Sequence, residues 1–211
     1  MAKHTGPVCK LCRREGTKLF LKGDRCHSPK CALDRHPYPP GVHGKNTLRR
    51  KASDYAMHLR EKQKVKRMYF LMERQFKKYY EMADKKKGVT GTNLLEFLER
   101  RLDNVVFKLN FAPSRPSARQ LVNHGHFTVN GRLVNIPSYL VKEGDIIEVK
   151  EPSRKSSMFK VAMEIVKQNG TGAEWLDADP DKFKGTVKRM PSREEMPLDI
   201  QENLIVEFYS K

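Results

Sequence analysis

The dipeptide Asn130-Gly131 constrains this chain more than any other feature. Both residues take positive φ at little cost, which a two-residue type I′ turn requires. Apolar and polar residues alternate on either side, through Phe127, Thr128 and Val129 and then Arg132, Leu133 and Val134. The pattern predicts a β-hairpin with one buried face. A second turn, Glu143-Gly144-Asp145, leads into a further strand, Ile146 to Val149. Upstream, Leu94, Leu95, Leu98, Leu102, Val105, Val106 and Leu109 recur at three- and four-residue steps, the period of a half-buried helix. Thr92 can cap it, and Asn110 with Pro113 ends it. Ser114 can cap a second helix, with Pro116 in its first turn and Gly125 after its end. Ala118, Leu121 and Val122 form its buried side and leave Arg115, Arg119, Gln120 and His124 on the other. The order from Gly91 to Val149 is thus helix, helix, hairpin, strand.

Charge divides the chain unevenly. The formal net charge is +17 over 211 residues; residues 1–90 carry +16, residues 91–150 carry +2 and residues 151–211 carry −1. A basic half joined to a neutral half suits a polyanion, because each neutralised phosphate releases condensed counterions. The cations do not flank a long apolar stripe of the kind that enters lipid. No run reaches the roughly 18–20 apolar residues of a membrane span, and the N-terminus has no apolar signal core. The expected location is the cytoplasm.

All four cysteines lie near the N-terminus, as Cys9, Cys12, Cys26 and Cys31. Two close pairs across a short loop let four thiolates converge on one zinc ion. With few apolar residues nearby, that ion would supply most of the arm's folding energy. An iron–sulfur cluster at the same four cysteines is the alternative, and spacing does not separate the two. Disulfides would need an oxidising compartment, and redox work by Cys9 and Cys12 would need a βαβ setting. Lys10, Arg13, Arg14 and Lys22 are interleaved with the cysteines. His27 and His36 read as surface or RNA-facing, since four cysteines complete a structural site. Pro37 to Gly44 forbids helix and favours an open backbone. His43, Lys45, Arg49 and Arg50 continue the basic run.

Residues 47–87 read as two helices. Ser53 or Asp54 can cap the first, whose inner face holds Tyr55, Leu59, Val65, Met68 and Tyr69. Arg60, Lys62, Lys64, Lys66 and Arg67 fill much of the rest, with too few acids in the helix to pair them. The second, Glu73 to Lys85, buries Phe76, Tyr79, Tyr80 and Ala83. Farther on, Ser156 to Val166 is weakly helical and Gly170 to Asp181 is turn-rich, with Trp175 as a core anchor. Lys184 to Pro197 reads as a polar return with a capped turn at Pro191 to Glu195, and the apolar end, Leu204 to Tyr209, should be docked.

Arg101 to Leu109, Ser114-Arg115, Ala118 to Val122 and His124-Gly125-His126 through Gly131 resemble the S-four RNA-binding domain. More narrowly, they resemble the bacterial-type small-subunit ribosomal protein of the S-four family. The Tyr38 to Gly44 element, the Ser53-Asp54-Tyr55 helix start and the Leu204 to Ser210 ending extend the likeness to the whole chain. Asn110 stands where the family pattern leads one to expect Gly. The resemblance implies an α+β fold: a discontinuous helical N-terminal domain with a four-cysteine metal-binding arm, plus an inserted helix–helix–β-hairpin RNA-binding module. On that reading, 1–45 is the arm, 46–90 completed by 178–211 is the helical domain, and 91–177 is the S-four-type domain. It also implies rRNA contact by the cations named above, by Tyr55 and by Gln120, His124 and His126.

No catalytic constellation stands out. There is no P-loop or dinucleotide fingerprint, and Asp103 reads as a helix-organising carboxylate. The expected function is that of a structural, non-enzymatic component of the small ribosomal subunit. The resemblance implies early binding at a multi-helix junction of the 5′ domain of its rRNA. It further implies a neighbour of the S-five family, a contribution to translational accuracy, and mRNA nearby. The alternatives are a stand-alone RNA-binding regulator and a fragment of an RNA-modifying enzyme carrying the same module.

Overall fold

The computed structural model describes residues 4–47, 53–197 and 199–210, and the chain divides into two compact units. The first comprises Met1–Leu94 with Asp199–Lys211, the second Leu95–Leu198. Arg49 and Arg50 lie outside the described residues.

In the first unit, α1 (Cys9–Glu15), a 3-10 turn (Gly23–Cys26), α2 (Ala32–Arg35) and α3 (Gly44–Thr47) form the arm. Then come α4 (Asp54–Met68), α5 (Glu73–Lys85) and the start of α6 (Thr90–Glu99), and α11 (Glu202–Tyr209) packs on α4. Ser53 caps α4, its Oγ accepting from the Ala56 N–H at 3.3 Å. The helix ends in a Schellman motif with Phe70 at the left-handed position, φ +56°. The Phe70 and Leu71 N–H groups donate to the Arg67 and Lys66 carbonyls at 3.0 and 2.9 Å. Val65, Phe76, Ala83 and Ile205 are fully buried. Tyr80, expected in the core, is half-buried and stacks on Tyr209 with centroids 4.6 Å apart.

The second unit holds α7 (Leu102–Lys108), α8 (Arg115–Asn123), α9 (Glu151–Arg154) and α10 (Ser157–Asn169) with a five-stranded antiparallel sheet. The strands β1 (Phe127–Val129), β2 (Arg132–Leu133), β3 (Ile146–Val149), β4 (Leu176–Asp179) and β5 (Lys184–Val187) lie in the order β2-β1-β3-β5-β4. Asn130 and Gly131 have φ of +50° and +76°, as the hairpin turn requires. Asn130 also locks β3: its Nδ2 donates to Asp145 Oδ1 at 2.8 Å and its Oδ1 accepts from the Ile146 N–H at 2.9 Å. The core joins the inner faces of α7, α8 and α10 to the sheet, with Trp175 fully buried in it. A Cβ at Gly185 would lie 2.5 Å from Leu109 Cδ1, so only glycine lets β5 approach α7 this closely.

Three expectations change. The single helix expected between a Thr92 cap and Asn110 is two helices, because Arg101 is extended and bridges Leu140. Leu102 N–H then donates to the Tyr139 carbonyl at 2.8 Å. The turn-rich and return segments contain β4 and β5, whose Leu-Asp-Ala-Asp and Lys-Gly-Thr-Val sequences have little strand propensity of their own. Because β5 pairs with β3, residues 178–198 belong to the second unit, and the stretch that completes the first begins at Asp199.

Candidate nucleic-acid interface

Arg13, on the last turn of α1, reaches the open segment before α3. Its Nε donates to the Tyr38 carbonyl at 3.0 Å and its guanidinium sits 4.9 Å from the Tyr38 ring centroid, with Lys45 at 5.4 Å. A residue expected to face RNA therefore also holds the backbone of the arm together. Lys10, Arg14, Lys22, His43 and Lys45 are exposed.

The four cysteine side chains line one cavity of about 20 Å³ together with Lys22, Arg25, Ala32 and Leu33. Cys12, Cys26 and Cys31 are buried, and all four thiols are free. Burial pushes the Cys12 thiol up against a hydrogen bond from the Leu19 backbone, and the sulfurs of Cys26, Cys9 and Cys31 push it the same way. The Lys22 N–H donates to Cys26 Sγ at 3.4 Å. The donor set fits a thiophilic ion, and the cavity has room for about one atom-sized guest. Among the described residues, no group of three or more His, Cys, Asp or Glu is placed closely enough to hold a metal ion as it stands.

Arg60, Lys62, Lys66 and Arg67 of α4 are paired from outside the helix, which the scarcity of acids within it did not foreshadow. Arg60 and Arg67 both meet Glu15, whose side chain is 1% exposed. Burial pushes the Glu15 carboxyl up while Arg67 and Arg60 pull it down. Lys62 is buried, 2.6 Å from Glu73 and 4.6 Å from the Phe208 ring centroid. Lys66 lies 2.8 Å from the other Glu73 oxygen, Oε2, and the Tyr209 O–H donates at 2.9 Å to Oε1, the oxygen that Lys62 meets. Burial opposes ionisation of Glu73, but the Lys62, Lys66 and Tyr209 donors hold its carboxyl down to about 2. Lys64 meets Glu61 at 2.9 Å and the Asp199 carbonyl at 2.6 Å. Tyr55, expected on the inner face, is 63% exposed, its ring 5.8 Å from Phe208.

Exposed cations lie instead on α5, where Arg74, Lys77, Lys78 and Lys85 occupy the face opposite Phe76, Tyr79 and Ala83. The sequence carried the signal: these positions fill the gaps in the apolar period.

In the second unit, Arg115 and Arg119 point inward, contrary to expectation. Arg101, Arg115 and Arg119 are 0%, 8% and 2% exposed. Arg101 makes two bonds to Asp103, at 3.0 and 2.6 Å, and Arg119 comes within 3.8 Å of the same carboxylate. Arg115 Nε donates to Asn104 Oδ1 at 2.7 Å, and Asn104 Nδ2 donates to Glu99 Oε2 at 2.7 Å. These are positioning residues that fix α8 against α7. Ser114, Asn110 and Gly125 set the ends: Ser114 caps α8, and the other two take φ of +59° and +71° as left-handed helix terminators. Gln120 and His124 remain exposed, while His126 is half-buried with Nδ1 2.9 Å from Ser153 Oγ. Burial, then His124 and Lys150, push the His126 imidazole below its ordinary value.

Residues 3–99 match the family described as ribosomal protein S4/S9 N-terminal domain, and residues 100–147 match the S4 domain. The chain is 58% identical over 211 residues to small ribosomal subunit protein uS4 of Geobacter sp. (strain M21), covering all of both chains. It is 59% identical, again over the full length of both, to the uS4 proteins of Syntrophus aciditrophicus and Nitratidesulfovibrio vulgaris. The chain belongs to the uS4 family. In this uS4-family chain, the S4 domain match spans α7, α8 and the hairpin. It covers the Asp103–Arg101–Arg119 network and the Asn104–Arg115 pair, while Glu99 is the last residue of the N-terminal match. Sequence reasoning named the two arginines and Asp103, which faces Arg119, but missed Asn104, which holds Arg115, with Glu99 behind it, and likewise Glu15 and Glu73 behind the α4 cations.

Proposed function

We infer that this ribosomal protein is a structural, non-enzymatic constituent of the small subunit that binds its rRNA and adjoining ribosomal proteins. The observation that carries the reading is a charge of +16 in residues 1–90, with exposed cations on the arm and on the outer face of α5. A-form RNA offers shape and phosphates more readily than base edges, so such faces hold a folded transcript without reading much sequence. The target is a multi-helix junction in the 5′ domain of the small-subunit rRNA, bound early in assembly in the bacterial cytoplasm. The neighbour is a protein of the S-five family, close to the mRNA path, where the pair contributes to translational accuracy. Cys9, Cys12, Cys26 and Cys31 hold one zinc ion, which supplies folding energy and no chemistry; an iron–sulfur cluster at the same cysteines is the alternative. The α4 cations act mainly through Glu15 and Glu73, as braces for the arm and for α5 and α11.

Titrating the full-length chain with a 5′-domain transcript at several salt concentrations tests the reading. Replacing Lys77 and Lys78 together with Ala should weaken binding and flatten the log K against log[salt] slope by roughly two. An unchanged slope removes α5 from the interface, and no binding by the unaltered chain at low salt ends the whole proposal.

A further inference from the structure

One aromatic side chain of the arm is turned outward against its own backbone preference. Phe20 lies between Leu19 and Leu21, which are 1% and 4% exposed, yet it is 38% exposed itself. Its φ of +50° lies in the left-handed region that bulky side chains rarely adopt. Glycine would sit there at lower cost, so the local fold gives no reason for an aromatic. The Phe20 ring stacks on His27 with centroids 5.0 Å apart and planes inclined by 25°. His27 is exposed as well, so the pair shows a flat π face to its surroundings. Lys22 and Arg25, in the loop that the stack closes, are exposed; Asp24 is the loop's carboxylate, and Lys18 is engaged with Asp34 at 2.8 Å.

We propose that Phe20 and His27 form a stacking platform for one unpaired nucleobase of the bound RNA, with Lys22 and Arg25 meeting the flanking phosphates. This rests on the RNA-binding reading above. A base with its phosphates matches a small π surface set among cations. An apolar protein partner would need a wider patch, and Leu19 and Leu21 are turned inward.

The test uses the full-length chain and the same 5′-domain transcript. Phe20→Leu should bind about tenfold more weakly with an unchanged salt slope, because a stack is lost and no phosphate contact is. Phe20→Tyr should bind within about twofold of the unaltered chain. Phe20→Gly, which suits the positive φ, should melt no lower than the unaltered chain and still bind about tenfold more weakly. Equal binding by Phe20→Leu, Phe20→Gly and the unaltered chain overturns the platform alone. So does a changed slope, or a defect confined to entry into assembled subunits, which would mean a protein partner. If the unaltered chain does not bind, the RNA reading falls and the platform with it.

Discussion

Asp103→Asn isolates the most consequential buried charge in the second unit. The substitution keeps the side chain's shape but removes the anion that faces Arg101 at 2.6 Å and Arg119 at 3.8 Å. Both arginines are almost wholly buried, at 0% and 2% exposure, so solvent cannot take over. Removing one partner of a buried pair costs about 3–5 kcal/mol, mostly because the remaining charge is left uncompensated. A domain is stable by about 5–15 kcal/mol, so the variant should lose roughly a fifth or more of its margin. Trp175 is the only tryptophan and is fully buried in this unit. Its fluorescence during urea unfolding therefore reports this unit alone. With a slope near 2 kcal/mol/M, the midpoint should fall by about 2 M. Asp179→Asn, which breaks an exposed pair with Lys182, should leave the midpoint nearly unmoved. Replacing Arg101, Asp103 and Arg119 together with Met, Leu and Met should recover much of the loss, because an apolar cluster needs no counter-charge. A loss below about 1 kcal/mol for Asp103→Asn would refute the idea that this carboxylate neutralises the arginines.

Acid should weaken the first unit through Glu73. Its folded carboxyl titrates near 2 against an ordinary 4.5, so its contribution is complete above pH 4.5 and disappears as pH falls toward 2. With the side chain 48% exposed, solvent screening reduces that contribution to about 1 kcal/mol. Glu73→Gln should flatten the acid limb of the stability–pH curve read by circular dichroism, and an unaltered limb would show that another group dominates. Elemental analysis of protein purified without chelators should find about one zinc per chain. Stripping that ion should speed amide exchange from Cys9 to Cys31 while α4 and α5 keep their protection. Iron with a visible absorption band would replace zinc by a cluster.

The periodicities settled the local elements. The hairpin at Asn130-Gly131 and the capped start of α8 at Ser114 were legible because each depends on a few neighbouring residues, and the apolar end from Leu204 was legible as docked though not as a helix. Asn110 was legible as an anomaly, and its φ of +59° supplies the reason. Tertiary structure alone decided β4 and β5, since their pairing with β3 comes from distant partners and not from strand propensity. It also decided which cations face outward. Helical period places Arg115 and Arg119 on a polar face, but a buried carboxylate and an amide on the neighbouring α7 draw them in. In the same way Glu15 and Glu73 engage the α4 cations, while α5 keeps an open basic face. One-dimensional patterns record which residues are charged. Only the fold brings the opposing charges within reach, and in a low-dielectric interior that proximity fixes where each long basic side chain points.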